Sequence, residues 1–128
     1  MDFDQQTVVA DLEAGIGTLT RLADRQVDVV LVVVENTPKS LEVGTRAVEL
    51  AAAKGLGRVV VVANRVRHEA DLEAVKAAFP GMEVVAVPDD PAIVAADRAG
   101  VAPLDSSPEA PAVQALTGLA RELLSVPA

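Results

Sequence analysis

The chain has no cysteine, and its 128 residues include only two aromatic side chains, those of Phe3 and Phe79. The absence of cysteine excludes a disulfide framework, a thiolate metal site and a cysteine nucleophile within this sequence, and it fits a reducing compartment. Two aromatic rings do not make a stacking platform for single-stranded nucleic acid.

Basic residues and long apolar runs are also scarce. Eleven Lys and Arg stand against nineteen Asp and Glu, for a formal charge of -8. Such a charge repels phosphate backbones and anionic lipid, so we expect neither nucleic acid nor a membrane as a partner. The longest apolar run, at residues 29–34, is far shorter than the roughly 20 residues of a membrane span. Residues 1–4 are acidic rather than signal-like, and we therefore expect a cytoplasmic protein.

Aliphatic residues dominate what is present, since 51% of the chain is hydrophobic. Three continuous β-branched runs lie at residues 29–34, 59–63 and 84–87, with a weaker fourth at residues 8–10. Runs without polar alternation are typical of strands buried on both faces, as in a parallel sheet covered by helices. The length predicts one domain over residues 1–128.

The segments between these runs have helical periods and helix-end signals. Thr37 is a candidate N-cap with Pro38 at the first helical position, and Gly55 supplies a left-handed stop. Further helices are predicted over 69–79, from 90 to about 100, and from 111 onward. The order predicts an α/β three-layer sandwich with a parallel sheet of about four strands. Ligands of such sheets bind at the carboxyl ends of the strands.

Carboxylates cluster at these predicted strand ends. Asp11 follows the first run and precedes a glycine turn, where a carboxylate can hold a magnesium-bound water or polarise a nucleophilic one. Aspartate is also an ordinary N-cap, and spacing alone favours that structural role for Asp11. Glu35, Asp89 and Asp90 either join Asp11 in an acidic cation site or act as helix caps and solvated groups. His68, the only histidine, is expected at the surface, since one histidine is a poor metal site.

Residues 8–16, Val-Val-Ala-Asp-Leu-Glu-Ala-Gly-Ile, resemble the acidic switch motif of the MinD and ParA-like P-loop ATPases. The Asp-x-Glu-Ala-Gly form is similar to that of the carbon monoxide dehydrogenase maturation ATPases, which assist nickel insertion. Further segments resemble the same family in the same order, at residues 32–41, 61–66, 87–90 and 96–104. The resemblance covers nearly the whole chain and implies a P-loop NTPase-like fold.

The resemblance also implies roles for individual residues. Asn64 matches the asparagine that contacts the adenine base, with Arg65 beside it, and an amide can pair with both the donor and the acceptor edge of adenine. Pro88 and Asp89 match the loop that closes over the base. Asp11 matches the switch carboxylate, which holds magnesium through water. ATP and magnesium are the implied cofactors.

One part of the family pattern is not found in these 128 residues, namely the Gly-rich phosphate loop. No Gly-x-x-x-x-Gly-Lys-Ser or Thr pattern occurs, and the nearest candidate, residues 54–57, precedes a strand instead of a helix. Phosphoryl transfer depends on that cradle for positioning and charge stabilisation. We therefore predict a truncated P-loop fold with no ATP hydrolysis by this chain alone.

In the family, the phosphate-loop strand lies between the switch strand and the strand matching residues 29–34. Without it, the run at 8–10 either closes onto that strand or leaves an open edge that pairs with another chain, so we expect a homodimer or a partner subunit. Three functions remain open: a non-catalytic relative that acts as an interaction or regulatory subunit, the carboxyl half of an ATPase completed by a separate chain, and a small-ligand or divalent-cation binding module.

Overall fold

The computed structural model describes residues 7–11 and 27–125, and in these ranges it has three strands and five helices. Along the chain these are β1 (Val29–Val34), α1 (Pro38–Ala53), β2 (Arg58–Val66), α2 (Glu69–Ala78), β3 (Glu83–Pro88), α3 (Pro91–Ala99), α4 (Pro103–Ser106) and α5 (Pro111–Ser125). Strands and helices alternate up to α3, as the apolar runs predict.

The three strands form one parallel sheet in the order β1-β2-β3. Val29 is paired with Arg58 at the start of β1, and Val60 with Glu83 at the start of β3. Helices cover both faces of this sheet, so the α/β three-layer fold class is confirmed.

The core has one layer on each face of the sheet. On one face, Val34 and Val61 pack with Val75 and Phe79, so α2 lies over β1 and β2, and α1 joins it through Leu41 and its neighbours. On the other face, Val62 and Val87 pack against α5. The central strand β2 is therefore buried from both sides, which is the environment that its continuous valine run predicts.

β1 is buried on one face only. Val32 and Val34 are buried, whereas Leu31 and Val33, which point to the opposite face, are 43% and 60% exposed. Their paired neighbours on β2, Val60 and Val62, are almost completely buried. The apolar surface of β1 is therefore left partly open beside a well-covered strand.

The strand expected at residues 8–10 is not found in the described part of the chain. Residues 7–11 have no regular structure there, and Val8 and Val9 are 71% and 87% exposed. Three apolar residues form a stable strand only when a neighbouring strand pairs with them by hydrogen bonds and an apolar layer covers them. The described sheet therefore has three strands rather than about four, and the run has not closed onto β1.

The helix ends follow the capping signals. The Thr37 hydroxyl accepts a hydrogen bond from the Ser40 N–H at 3.2 Å, and Gly55 and Gly100 end α1 and α3 with positive φ angles of 65° and 68°. The short helix α4 was not predicted and lies between the helices predicted from 90 to about 100 and from 111 onward. Across the described ranges, no helix is both long and apolar enough to cross a membrane.

Candidate functional site

The carboxyl ends of the three strands are linked by the side chain of Arg65. Its Nη1 lies 3.4 Å from Glu35 Oε1, directly after β1, and its Nε lies 3.4 Å from Asp89 Oδ1, directly after β3. Arg65 itself is in β2. Exposed ion pairs of this kind contribute little stability, so the main effect of the network is to hold these three side chains at one edge of the sheet.

Arg65 reaches this position through a β-bulge. From Ala63 to Val66 the chain advances three residues, whereas the paired stretch of β3, from Ala86 to Pro88, advances two. β2 therefore holds one extra residue here, and Arg65 takes the left-handed conformation with φ 55°. A non-glycine residue in that region is strained by roughly 1–2 kcal/mol. Bulges next to ligand sites re-aim side chains in this way.

Asp89 is shared between two arginines. Arg67 Nε donates to Asp89 Oδ2 at 2.9 Å, and Arg65 Nε approaches the other carboxylate oxygen. The hydrogen bond from Arg67 lowers the pKa of Asp89, and the hydrogen bond from Arg65 lowers it further. Asp89 therefore remains an anion that fixes both guanidinium groups.

A second contact joins the loop after β1 to the start of α2. Asn36 Nδ2 donates to Asp71 Oδ1 at 3.0 Å, while Asp71 Oδ2 accepts the backbone N–H groups of Arg67 and His68 at 3.0 and 3.1 Å. The Asn36 amide, followed by these backbone groups, lowers the pKa of Asp71. Sequence reasoning missed Asp71, although its position three residues after the N-cap His68 is a capping-box signal.

Asp90 caps two helices at once. Its Oδ1 accepts the N–H of Ala92 in α3 at 2.9 Å, and its Oδ2 accepts the N–H of Ala112 in α5 at 3.0 Å. Of the two interpretations left open for this carboxylate, capping is therefore the one observed.

The acidic residues do not form a cation site in the described ranges. Glu35 and Asp89 are paired with Arg65, and Asp90 is used by helix N–H groups. No group of three or more His, Cys, Asp or Glu side chains that could hold a metal is present among residues 7–11 and 27–125. Asp11 is exposed at the end of residues 7–11.

An open pocket of about 410 Å³ lies beside this network, between the ends of β2 and β3 and the outer side of α3. Its size is in the range of small-molecule sites. Of the four residues expected at a base site, Arg65 and Asp89 line it, while Asn64 and Pro88 are half-buried at the adjoining strand ends. The full lining is Arg65, Asp89, Asp90, Pro91, Val94, Ala95 and Arg98.

The chain is similar to curated proteins over part of their length. No family model matches the chain. It is 35% identical over 99 residues to an uncharacterized ATP-binding protein of Methanocaldococcus jannaschii, covering 74% of this chain and 38% of that protein. It is 30% identical over 105 residues to the carbon monoxide dehydrogenase accessory protein CooC of Rhodospirillum rubrum, covering 81% of this chain and 40% of that protein. The chain thus spans about two fifths of the length of these relatives.

Among solved structures, the MinD cell division protein of Aquifex aeolicus has a similar fold. The TM-score is 0.64 at 24% sequence identity, and the match covers 78% of this chain and 46% of that chain. At this identity the likeness establishes the fold, which agrees with the parallel sheet and its two helical layers.

Proposed function

We propose that this chain, which is similar to part of CooC and of a second ATP-binding protein and has a MinD-like fold, is a nucleotide-fold subunit without ATP hydrolysis of its own. It contributes the base side of an adenine-nucleotide site and acts through another protein chain as an interaction or regulatory subunit. The observation that carries the proposal is the bulge of β2, which sets Asn64 and Arg65 at the sheet's carboxyl edge beside an open pocket.

The residues at this edge have the chemistry that a purine needs. The Asn64 amide can donate to and accept from the edge of adenine. The Arg65 side chain is 52% exposed, and its guanidinium can stack on a ring face. Pro88 and Asp89 follow on the neighbouring strand and close the site from the side of β3. Purine contacts alone give weak affinity, so we expect dissociation constants near the millimolar range.

The residues do not fit a complete magnesium triphosphate site. Magnesium in such sites is held by one or two carboxylates together with substrate phosphates. Asp11 supplies one exposed carboxylate, and these 128 residues hold no Gly-rich phosphate cradle. We therefore assign Asp11 the position of the switch carboxylate and derive no hydrolytic step from it.

The exposed face of β1 is the surface at which we propose that a partner protein binds. Leu31 and Val33 are exposed on a strand whose paired neighbours are buried, and Val8 and Val9 are more exposed still. Exposed aliphatic groups of this kind mark protein interfaces or aggregation sites. We propose that a second protein chain, either another copy or a different subunit, covers this face.

Titration with adenosine tests the base site. We expect weak saturable binding, followed by amide chemical shifts, that Asn64→Ala abolishes. Asn36→Ala is the matched control, because Asn36 is also an asparagine at this sheet edge, but its amide is bonded to Asp71 and has no part in the proposed base contacts. Equal affinity of the Asn64→Ala protein and the unsubstituted protein would contradict the proposal.

Sedimentation tests the partner surface. We expect the protein to associate at tens of micromolar, or to bind a second subunit, and Val33→Lys to prevent it. Val43→Lys is the matched control, since Val43 is an exposed valine of α1. A monomer that stays compact at that concentration removes the homodimer, and binding of a second subunit that survives Val33→Lys removes this face as the interface.

A second candidate function is the carboxyl half of an ATPase completed in trans. The chain's span of about two fifths of its relatives and the exposed apolar groups of residues 8–10 and β1 favour it. CooC is a carbon monoxide dehydrogenase accessory protein, so metallocentre assembly is the pathway we propose for such a pair. Adding a polypeptide that carries the phosphate loop should then produce magnesium-dependent ATP hydrolysis.

Asp11 distinguishes the two candidates. If the second is correct, Asp11→Asn abolishes the hydrolysis gained by mixing, whereas Asp105→Asn, a change at an exposed carboxylate of α4, leaves it unchanged. Absence of hydrolysis in a mixture shown by sedimentation to form a complex contradicts the second candidate and leaves the non-catalytic subunit.

A further inference from the structure

The pocket beside α3 has an apolar wall where a solvent-facing helix is normally polar. Pro91, Val94 and Ala95 all line it, and Val94 is 52% exposed. These positions are spaced three and four residues apart and share one side of α3, opposite the buried Ala96. The wall is thus a continuous apolar strip that ends at the charged groups of the pocket.

The charged side chains that line the pocket differ in whether they have an ion-pair or hydrogen-bond partner. The Asp89 carboxylate is bonded by Arg67, and both oxygens of Asp90 accept backbone N–H groups. Arg98 forms no ion pair with any carboxylate in the described ranges, neighbouring Asp97 included. The carboxylates of the pocket are therefore occupied, while the guanidinium of Arg98 has no carboxylate partner among residues 7–11 and 27–125.

Arg65 is the second guanidinium of the lining and is held loosely. Its nitrogens are 3.4 Å from Glu35 and from Asp89, compared with 2.9 Å for Arg67 and Asp89. An anion entering the pocket can therefore draw Arg65 toward itself while Arg67 keeps Asp89 neutralised. Asp90, which also lines the pocket, stays in place because its two oxygens accept N–H groups at the starts of α3 and α5.

We propose that this pocket is a binding site for a small organic anion, whose apolar body lies along Pro91 and Val94 and whose carboxylate or phosphate is held by Arg98. Guanidinium groups bind both kinds of anion through paired charge-assisted hydrogen bonds. The site shares Arg65 and Asp89 with the proposed base site, but Asn64 and Pro88 do not line the pocket, and the proposal does not rest on adenine binding.

Matched probes test the site by amide chemical shifts of the labelled protein. Benzoate supplies an apolar ring and a carboxylate, and phenyl phosphate supplies the same ring with a phosphate. Benzamide has the ring without the charge, and acetate has the charge without the ring. For ligands of this size we expect benzoate to saturate near the low millimolar range, with shifts in residues 91–98. Benzamide and acetate should bind about tenfold more weakly, since benzamide lacks the negative charge and acetate lacks the apolar ring. Whether benzoate or phenyl phosphate binds more tightly identifies the class of anion.

Arg98→Gln should remove the preference for benzoate over benzamide, and Arg121→Gln, a change at an exposed arginine of α5 outside the pocket, should keep it. Arg98 is exposed, so the variant is expected to fold, and its amide spectrum shows whether it does. Equal binding of benzoate and benzamide, unchanged benzoate affinity in Arg98→Gln, or no shifts at about 10 mM benzoate would each overturn the proposal. Asn64→Ala should leave benzoate binding intact, so that failure of this site and failure of the adenine site are separable.

Discussion

The carboxylate of Asp90 accepts a hydrogen bond at 3.0 Å from the backbone N–H of Ala112, which lies 22 residues further along the chain. Because the other oxygen of Asp90 caps α3, one side chain fixes the starts of two helices. We expect Asp90→Ala to lower the free energy of unfolding by about 2 kcal/mol, roughly 1 kcal/mol for each cap. Urea unfolding measures the difference.

Asp97→Ala is the control for this prediction, since Asp97 is exposed on the same helix α3. A surface substitution of this kind changes stability by about 0.5 kcal/mol or less. Equal losses in the two variants would show that Asp90 does not hold α3 and α5 together.

Two glycines in helices should respond oppositely to alanine. A Cβ at Gly44 would collide with a Cγ of Val34, whereas a Cβ at Gly118 would meet nothing within 4 Å. We expect Gly44→Ala to destabilise by about 1–3 kcal/mol, because α1 packs closely on β1 there. Gly118→Ala should stabilise by about 0.5–1 kcal/mol through helix propensity. Thermal unfolding of both proteins checks the packing of α1, and a stabilising Gly44→Ala would contradict it.

Acid should destabilise the protein partly through Asp71. Hydrogen bonds from Asn36 and from two backbone N–H groups lower the pKa of Asp71 in the folded state. Its stabilising contribution is therefore complete above the unfolded-state pKa of about 3.9 and is lost as the pH falls through the lower folded-state pKa. Asp89, whose pKa is also lowered, acts in the same direction.

We expect the melting temperature to fall less between pH 6 and pH 3 in Asp71→Asn than in the unsubstituted protein, because the variant has no carboxylate to protonate at this position. Glu73→Gln, which changes an exposed carboxylate of α2, should retain the full fall. The same pH dependence in all three proteins would show that the hydrogen bonds to the Asp71 carboxylate are not present in solution.

The backbone strain at Arg65 can be measured by comparing two small replacements. Both Arg65→Gly and Arg65→Ala remove the guanidinium, but only glycine adopts a φ of 55° without strain. We therefore expect the glycine variant to be more stable than the alanine variant by about 1 kcal/mol in urea unfolding. An alanine variant of equal or greater stability would indicate that the bulge is absent.

The sequence predicted those features whose signals are local. The valine runs marked β1, β2 and β3, Thr37 marked the start of α1, and Gly55 and Gly100 marked the ends of α1 and α3. Each of these signals acts within one turn or one strand, so it can be seen without knowing the rest of the fold.

The features that were missed depend on contacts distant in sequence. Asn36 and Asp71 are 35 residues apart, and the second cap made by Asp90 could be identified only once α5 lay over the sheet. The run at residues 8–10 has a strand-like composition, but composition does not supply the neighbouring strand that it needs. The bulge at Arg65 appears in the pairing of β2 with β3 and has no mark in the sequence of β2 alone.

The central proposal is that this chain recognises the base of an adenine nucleotide, while these 128 residues hold no Gly-rich loop for the triphosphate. Parallel titrations of the chain alone with adenosine and with magnesium ATP test it most directly. We expect weak dissociation constants that agree within about threefold, a difference below 1 kcal/mol, because these 128 residues hold no Gly-rich loop for the phosphates. Magnesium ATP that binds about a hundredfold more tightly than adenosine, or is hydrolysed by this chain alone, would contradict it.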